Sequence, residues 1–448
     1  MAYKNLTAVN IVNVVNDQTT KQYNVSFPAV TKSNFSDMAD QLRYAAPEVV
    51  NGWIHNLLNL VGLQICMNRR SYESPYRKLF QGDTPTENIQ EYMMDVIRSK
   101  AYTPEADPDD FFEDEIPDVG TQYVTSPIKK VFAVSINEDA LIAAFVSQDN
   151  FMNFVNDTVA AQLYNSMNLE ETLTVEELLS RNIKEGNVFL IPSSKVVDQA
   201  TALAFTAQMK SLTGNMAVRP TNKYALAGFY TMTPKEDGLI ITDVSTKAVT
   251  ETYSLAWAFH ESFLNLQEKG QGIEMADDSI CGGDVFAIYA DRYALELRMK
   301  SGFPKTAYEF FGNKLTSKRW LHYQAIMALS YFNNMAAFAD STKIDTSASA
   351  TLGLRDGSTA MNKGAKGQVY VSALTVTSGK LFDKFGSYEV SGNTDDDTMI
   401  DETSGKIVIG KNETGSDVTG LTGKYVTVTW TSHLDSTVTA TLNIKINS

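Results

Sequence analysis

Between Ala101 and Gly186 the chain carries the succession that most constrains its fold. A proline-containing acidic loop, Thr103 to Asp118, leads into an extended stretch from Gln122 to Ala143. That stretch feeds an amphipathic helix opening near Asp149. A loop so long and so charged has no reason to pack on its own core, because burying unpaired carboxylates is costly. It reads as an arm that leaves the subunit and returns, and arms of that kind belong to proteins that build lattices.

At 448 residues the chain exceeds one ordinary core, so two or three domains are expected. A hydrophobic content of 43% with 10% aromatic residues is that of a globular protein. No apolar run approaches the roughly 18 residues needed to cross a bilayer. Met1-Ala2-Tyr3-Lys4-Asn5 lacks the basic-then-apolar order of a secretory signal. The expectation is a soluble protein made in a cytoplasm, with no membrane partner. Cys66 and Cys281 lie far apart, which favours two unpaired core thiols over a disulfide or a zinc site. A net charge of -15 argues against a tight grip on DNA phosphates, which needs clustered Lys and Arg.

Along the chain, residues 1 to 48 read as an extended N-terminal arm with a brief helix around Phe35 to Tyr44. Ala46 to Gln64 is helical, with Val50, Trp53, Ile54, Leu57, Leu58 and Val61 on one face. Ile65 to Tyr76 reads as extended, and Thr86 to Ser99 as helix-like through Ile89, Tyr92, Met93 and Ile97. In the helix from Asp149, Phe151, Val155, Val159, Leu163 and Met167 form an i, i+4 ladder, with Asp149 or Asn150 as N-cap. A second helical piece follows, with Thr174 and Glu177 as a capping box and Gly186 as its stop. From Asn187 to Met335 the pattern is mixed: strands at Val188 to Ile191, Gly238 to Asp243, Asp284 to Tyr289 and Tyr293 to Met299, helices at Asp198 to Leu212 and Ser254 to Gln267. Trp320 to Phe332 fits both the helical and the strand period. Near Phe338 the composition turns to Thr, Ser, Gly and Val. Gln368 to Leu374, Lys406 to Gly410, Tyr425 to Thr431 and Val438 to Ile446 then alternate with period two, as in a small β-sandwich.

No catalytic constellation emerges. His260-Glu261 resembles the start of a zincin helix, but Leu264 stands where the second ligand belongs. His55 and His260, among large apolar neighbours, read as structural. Gly405 to Lys411 has phosphate-loop spacing until Asn412, which replaces the required Ser or Thr, and no helix follows. The run Glu105, Asp107, Asp109, Asp110, Glu113, Asp114 and Glu115 lacks the glycine and spacing of a calcium loop. Asp395-Asp396-Asp397 reads as a charged turn. No cofactor and no enzymatic activity are expected.

The order of parts resembles the major capsid proteins of small podoviruses related to phage phi29, with the HK97-type fold. The likeness rests on Glu115-Ile116-Pro117-Asp118-Val119, on Leu141 to Ser147 running into Asn150-Phe151 and the helix ending Tyr164-Asn165-Ser166, on Leu239 to Asp243, on Leu255 to Phe259 and on Ala328 to Phe332. Ile400 to Ile407 is similar to a bacterial immunoglobulin-like domain. The resemblance implies an α+β, HK97-like capsid domain over 1-340, followed by an all-β immunoglobulin-like sandwich over 341-448. Within the first, 1-64 would be the N-arm and first helix, 65-140 an E-loop lying on a neighbouring subunit, 141-199 and 316-340 the peripheral domain, and 200-315 the axial domain.

The function implied is that of a structural subunit forming pentamers and hexamers of itself in the virion shell, after synthesis and assembly in the host bacterial cytoplasm. Partners would be a separate scaffolding protein, since no coiled coil precedes the arm, a portal protein, and packaged double-stranded DNA that is enclosed but not tightly bound. Candidate inter-subunit contacts are Arg69, Arg70 and Arg77 on one arm of the E-loop and Glu113, Asp114 and Glu115 on the other. Two other readings stay open: a cell-surface, adhesin-like binder carried by the C-terminal domain, and a metal-dependent hydrolase using His260 and Glu261.

Overall fold

The structure, a computed structural model, describes residues 7–65, 72–96, 118–124, 127–137, 142–145, 151, 161–257, 271–302, 304–311 and 316–447. The chain is a mixed α+β protein with two compact units. One comprises Met1–Glu87, Ser126–Thr174 and Leu297–Ile326; the other comprises Asn88–Thr125, Val175–Glu296 and Met327–Ser448.

In the first unit the N-terminal segment is not the extended arm its composition suggests. Helix α1 (Ala8–Tyr23) is capped by the Thr7 side chain and ends at Asn24, whose left-handed backbone asparagine tolerates. Its buried stripe is Ala8, Ile11, Val12, Val15, Asn16 and Thr19, so two of the six inward positions are polar. Both are satisfied: Asn16 Oδ1 accepts the Trp53 indole N–H at 2.6 Å, and Thr19 Oγ1 donates to Val15 O. Helices α2 (Asp37–Tyr44) and α3 (Pro47–Ile65) lie where periodicity places them. They share with α1 a core around Trp53, Phe35, Phe145 and Phe151, the last two rings 4.7 Å apart. Tyr76 lies in one turn of 3-10 helix, Pro75–Leu79, rather than in extended chain, as proline at the first position favours.

A sheet completes this unit. Strand β1 (Asp83–Thr84) lies parallel on β9 (Leu295–Lys300), while β4 (Pro127–Asn137) and β10 (Lys305–Phe311) flank β11 (Thr316–Leu329) antiparallel. Pairing on both sides decides for a strand as far as Leu329 in the stretch Trp320 to Phe332, whose apolar residues fit two periods; residues 330–332 lie beyond the strand.

In the second unit a five-stranded sheet runs in the order β5 (Phe189–Ser193), β12 (Met335–Asp340), β8 (Val285–Asp291), β6 (Gly238–Asp243) and β7 (Gln271–Met275). Every residue of β6 and β8 is buried, which is why they read as unbroken apolar runs. Helix α5 (Gln199–Val218) begins with a capping box between Asp198 and Thr201 and packs Phe205 and Met209 against Phe286 and Phe338. Helix α6 (Val244–Trp257) starts ahead of the expected Ser254, because the Asp243 carboxylate accepts the Thr246 N–H at 2.7 Å and caps it there. Its expected continuation over 258–267 lies outside the described residues.

Two further expectations are corrected. Helix α4 runs unbroken from Ala161 to Lys184, so Thr174 and Glu177 open no second helix; Thr174 Oγ1 donates back to Glu170 O in mid-helix. Gly186, at φ +75, does end it. The portion expected over 152–160 lies outside the described residues. Of the expected helix over 86–99, residues 97–99 lie outside the described residues, and residues 86–96 are not helical. Ile89–Met94 is strand β2, antiparallel to β3 (Val119–Val124) from Ile89↔Val124 to Met94↔Val119. Ile89 and Met93 share a helical face by spacing, but a partner so distant in sequence selects the period-two conformation.

The C-terminal β-module consists of two sheets. One has the order β13 (Ser349–Leu354), β15 (Lys366–Thr375), β18 (Lys406–Val408), β17 (Met399–Ile400). The other has β14 (Ala360–Asn362), β21 (Thr439–Asn447), β20 (Lys424–Ser432), β16 (Gly386–Ser391), with β19 (Ser416–Asp417) also on β20. They share a core of Val369, Val371, Phe382, Ile407, Val426, Val428, Trp430 and Ile444. Beside it the buried Glu413 carboxylate accepts from Thr394 N and Oγ1, Thr398 Oγ1 and Gly415 N at 2.5–2.9 Å. Burial pushes this carboxyl up, but the donors prevail and hold it at about 2, below the ordinary 4.5. The stabilisation is therefore complete above pH 4.5 and fades as pH falls toward 2. Glu413→Gln, which turns an amide N–H toward these donors, should lower the module's stability by about 1–3 kcal/mol in denaturant unfolding of the full chain. The variant should also lose the module's acid sensitivity in that range.

Candidate functional site

Among the described residues no group of three or more His, Cys, Asp or Glu side chains is placed to hold a metal. No helix there is long and apolar enough to cross a membrane. The structure instead gathers charged and polar groups along residues 72–137, the part of the chain read as an arm.

In the first unit these groups bind the chain to α4 and the sheet. Arg77 Nη1 lies 2.8 Å from Glu171 Oε2, and the Tyr323 hydroxyl donates to the same oxygen at 3.1 Å. The Glu171 side chain has no exposure, whereas that of Arg77 is 32% exposed. Burial, with Glu171 alongside, drives the Tyr323 phenol far above its ordinary range. Tyr72 donates its N–H to Asn165 Oδ1 and shares a hydroxyl hydrogen bond with Thr172, while Asn168 Nδ2 donates to Tyr72 O. Glu87 receives Lys300 at 2.7 Å and Lys129 at 3.0 Å, and their hydrogen bonds hold its carboxyl at about 2. Lys130 pairs with Glu170 at 2.7 Å.

In the second unit the β2–β3 ribbon is seated by its inner face. Gln122 donates to Leu329 O at 2.7 Å and accepts the Tyr331 N–H at 2.9 Å; Glu91 accepts the Ser330 hydroxyl at 2.8 Å. A Cβ at Gly120 would lie 2.6–2.7 Å from the rings of Phe332 and Phe229, so only glycine permits this approach. The outer face carries Tyr92, Met94, Val119 and Tyr123, and the two tyrosines are 72% and 67% exposed. These four share that face with the polar Gln90 and Thr121.

Where the ribbon's strands end, Lys406 of β18 contacts Asp95 and Asp118 at 2.5 and 2.9 Å. Elsewhere in this unit His433 lies 2.8 Å from the buried Asp383, which also accepts the Leu190 N–H at 2.7 Å. The His433 ring stacks on Phe189 with centroids 4.1 Å apart. These bonds join the C-terminal module to strand β5.

Of the residues singled out from sequence, Arg77 is engaged within its own chain, by Glu171. Arg69, Arg70, Glu113, Asp114 and Glu115 lie outside the described residues, as do Cys66, His260 and Glu261. Cys281 is a buried free thiol, which burial pushes up to about 11. Asp395 accepts N–H bonds from Asp397 and Asn412, as a charged turn does. Sequence reasoning missed Glu171, although the signal was there: Leu163, Met167, Glu171, Val175, Leu179 and Ile183 form one buried i, i+4 ladder with a carboxylate in the middle.

The family of Phi29-like phage major capsid proteins matches residues 12–339. The major capsid protein of Bacillus phage GA-1 is 27% identical over 308 residues, 66% of this chain and 62% of that protein. That of Bacillus phage PZA is 26% identical over 257 residues, 56% of each chain. The chain thus spans about three fifths of the length of these relatives. Among solved structures, a chain in the capsid of Staphylococcus phage Andhra is similar at TM-score 0.49 and 14% identity, over 61% of this chain and 86% of that one. A chain from the mature capsid of bacteriophage PhiM1 gives 0.43 and 8%, over 61% and 89%. The chain belongs to the Phi29-like phage major capsid protein family. These relatives are structural proteins and not enzymes, and they lend the adhesin reading no support.

Arg77→Met should cost about 2–4 kcal/mol in urea unfolding, because it strands a fully buried carboxylate. Arg77→Met combined with Glu171→Met should cost clearly less than the single change, since it leaves no buried charge unpaired and strands only the neutral Tyr323 hydroxyl. Equal losses would show that the Glu171 carboxylate does not need Arg77.

Proposed function

We propose that the chain is the repeating structural subunit of a tailed-phage shell, assembling with copies of itself into pentamers and hexamers around packaged double-stranded DNA. Family membership supports the role. The observation that carries its mechanism is the β2–β3 ribbon, rooted by polar bonds on one face and open on the other, where Tyr92, Met94, Val119 and Tyr123 stand exposed. In this reading the fold is HK97-like: residues 65-140 are the E-loop, and the ribbon's apolar face is covered by the adjacent subunit. The acidic run through Glu113, Asp114 and Glu115 meets basic groups of a neighbour, as do Arg69 and Arg70. Residues 341-448 form an immunoglobulin-like sandwich.

The remaining partners follow from the same reading. A separate scaffolding protein templates assembly, a portal protein occupies one vertex, and assembly takes place in the host cytoplasm. A subunit of net charge -15 encloses DNA without gripping it, which leaves the DNA free to be packaged and ejected.

Electron microscopy of the chain co-expressed with its scaffold should show closed shells; a monomeric protein under those conditions would overturn the proposal. Tyr92→Ser with Tyr123→Ser should sharply reduce particle yield while the melting of unassembled protein stays nearly unchanged, because both side chains face water there. Charge reversal at Glu113, Asp114 and Glu115 should likewise weaken assembly. Unchanged yield and particle thermal stability would show those charges to be only solvated.

A further inference from the structure

We infer that the C-terminal β-module serves its own chain as a brace for the β2–β3 ribbon, with Lys406 as the positioning residue. The ribbon is held along its inner face, but a two-stranded ribbon is marginally stable without further support. At its far end the Asp95 N–H donates to Asp118 O at 2.9 Å, beyond the last paired residues Met94 and Val119. Lys406 Nζ reaches both carboxylates there, Asp95 Oδ2 at 2.5 Å and Asp118 Oδ2 at 2.9 Å, one from each strand's extension. The same ammonium lies 4.0 Å from the centroid of the Phe229 ring, which itself packs against the ribbon. One cation thus ties both strands to each other and to the body beneath them.

Lys406 is itself aimed by a rigid turn. Asp401 Oδ1 accepts from Thr403 N and from Ser404 N and Oγ, Gly405 adopts φ +68, and Asp401 N donates to Lys406 O at 2.7 Å. The turn is docked in its turn: Asn222 Nδ2 donates to Asp401 Oδ1 at 3.1 Å, and Gln368 Nε2 donates to both Ala227 O and Ser404 O. At Gly228 a Cβ would lie 2.6 Å from the Ser404 Cβ, so module and body meet closely at this point. A positively charged side chain held this way restrains the ribbon, whose outer face remains free for other contacts.

Hydrogen exchange of the unassembled full-length chain tests the brace without reference to shells, so its outcome is independent of the proposed assembly. Lys406→Met should speed exchange of the β2 and β3 amides by about tenfold or more while β20 and β21 keep their protection. Lys406→Arg should retain most of the protection, and Asp118→Asn, which alters no residue of the module, should accelerate the same amides. Two results would overturn the inference. One is ribbon protection unchanged in both Lys406→Met and Asp118→Asn; the other is a Lys406→Met effect spread through β20 and β21 with Asp118→Asn silent, which would make Lys406 only a stabiliser of the module.

Discussion

A carboxylate shut away from water is tolerated only where partners replace its hydration, and at Glu171 those partners define how the first unit is put together. The residue occupies the third position of an otherwise apolar six-residue ladder on α4, where Leu or Val would pack without difficulty. Its oxygen instead collects a guanidinium from the Pro75–Leu79 turn and a phenol from β11. Three segments far apart in sequence are obliged to meet at one point, because any arrangement that separates them leaves a buried charge unpaired. Apolar packing would stabilise such a junction as well, but it would specify the register less sharply. The Glu87 carboxylate, between Lys129 and Lys300, repeats the device at the surface with less at stake, since exposed pairs are screened by water.

The second unit answers a different requirement. A ribbon of two strands has no core of its own, so its residues divide into an inner face that bonds to the body and an outer face that is left over. Gln122 and Glu91 satisfy backbone and hydroxyl groups of the Leu329–Tyr331 segment, and Gly120 lets the ribbon settle onto two phenylalanine rings. What remains outside is Tyr92, Met94, Val119 and Tyr123 with the polar Gln90 and Thr121.

Much of the architecture was legible in the residues. The buried strands β6 and β8, the capped helix α5, the helices α2 and α3 and the alternating strands of the C-terminal module all declare themselves through local period and punctuation. Helix α1 did not, because Asn16 and Thr19 interrupt its stripe and are accommodated by hydrogen bonds invisible in the sequence. Strand β2 failed for the opposite reason: Ile89 and Met93 fit a helix well, and only β3 makes them a strand. Thr174 looked like a cap since its spacing to Glu177 was right, yet a threonine can equally bond back to the preceding turn.

By itself the sequence determined the class of the chain: α+β, acidic, and changing to β-structure near Phe338. Those properties depend on composition and on spacings within one element. The tertiary structure alone decided which charges meet. Arg77 was recognisable as an arm residue, but its pairing with Glu171, like that of Lys406 with Asp95 and Asp118 or of His433 with Asp383, joins positions 50 to 311 residues apart. No local rule relates such positions. Their ion pairs become possible only after apolar burial has brought the elements together, and they then select one arrangement among those that burial alone would allow.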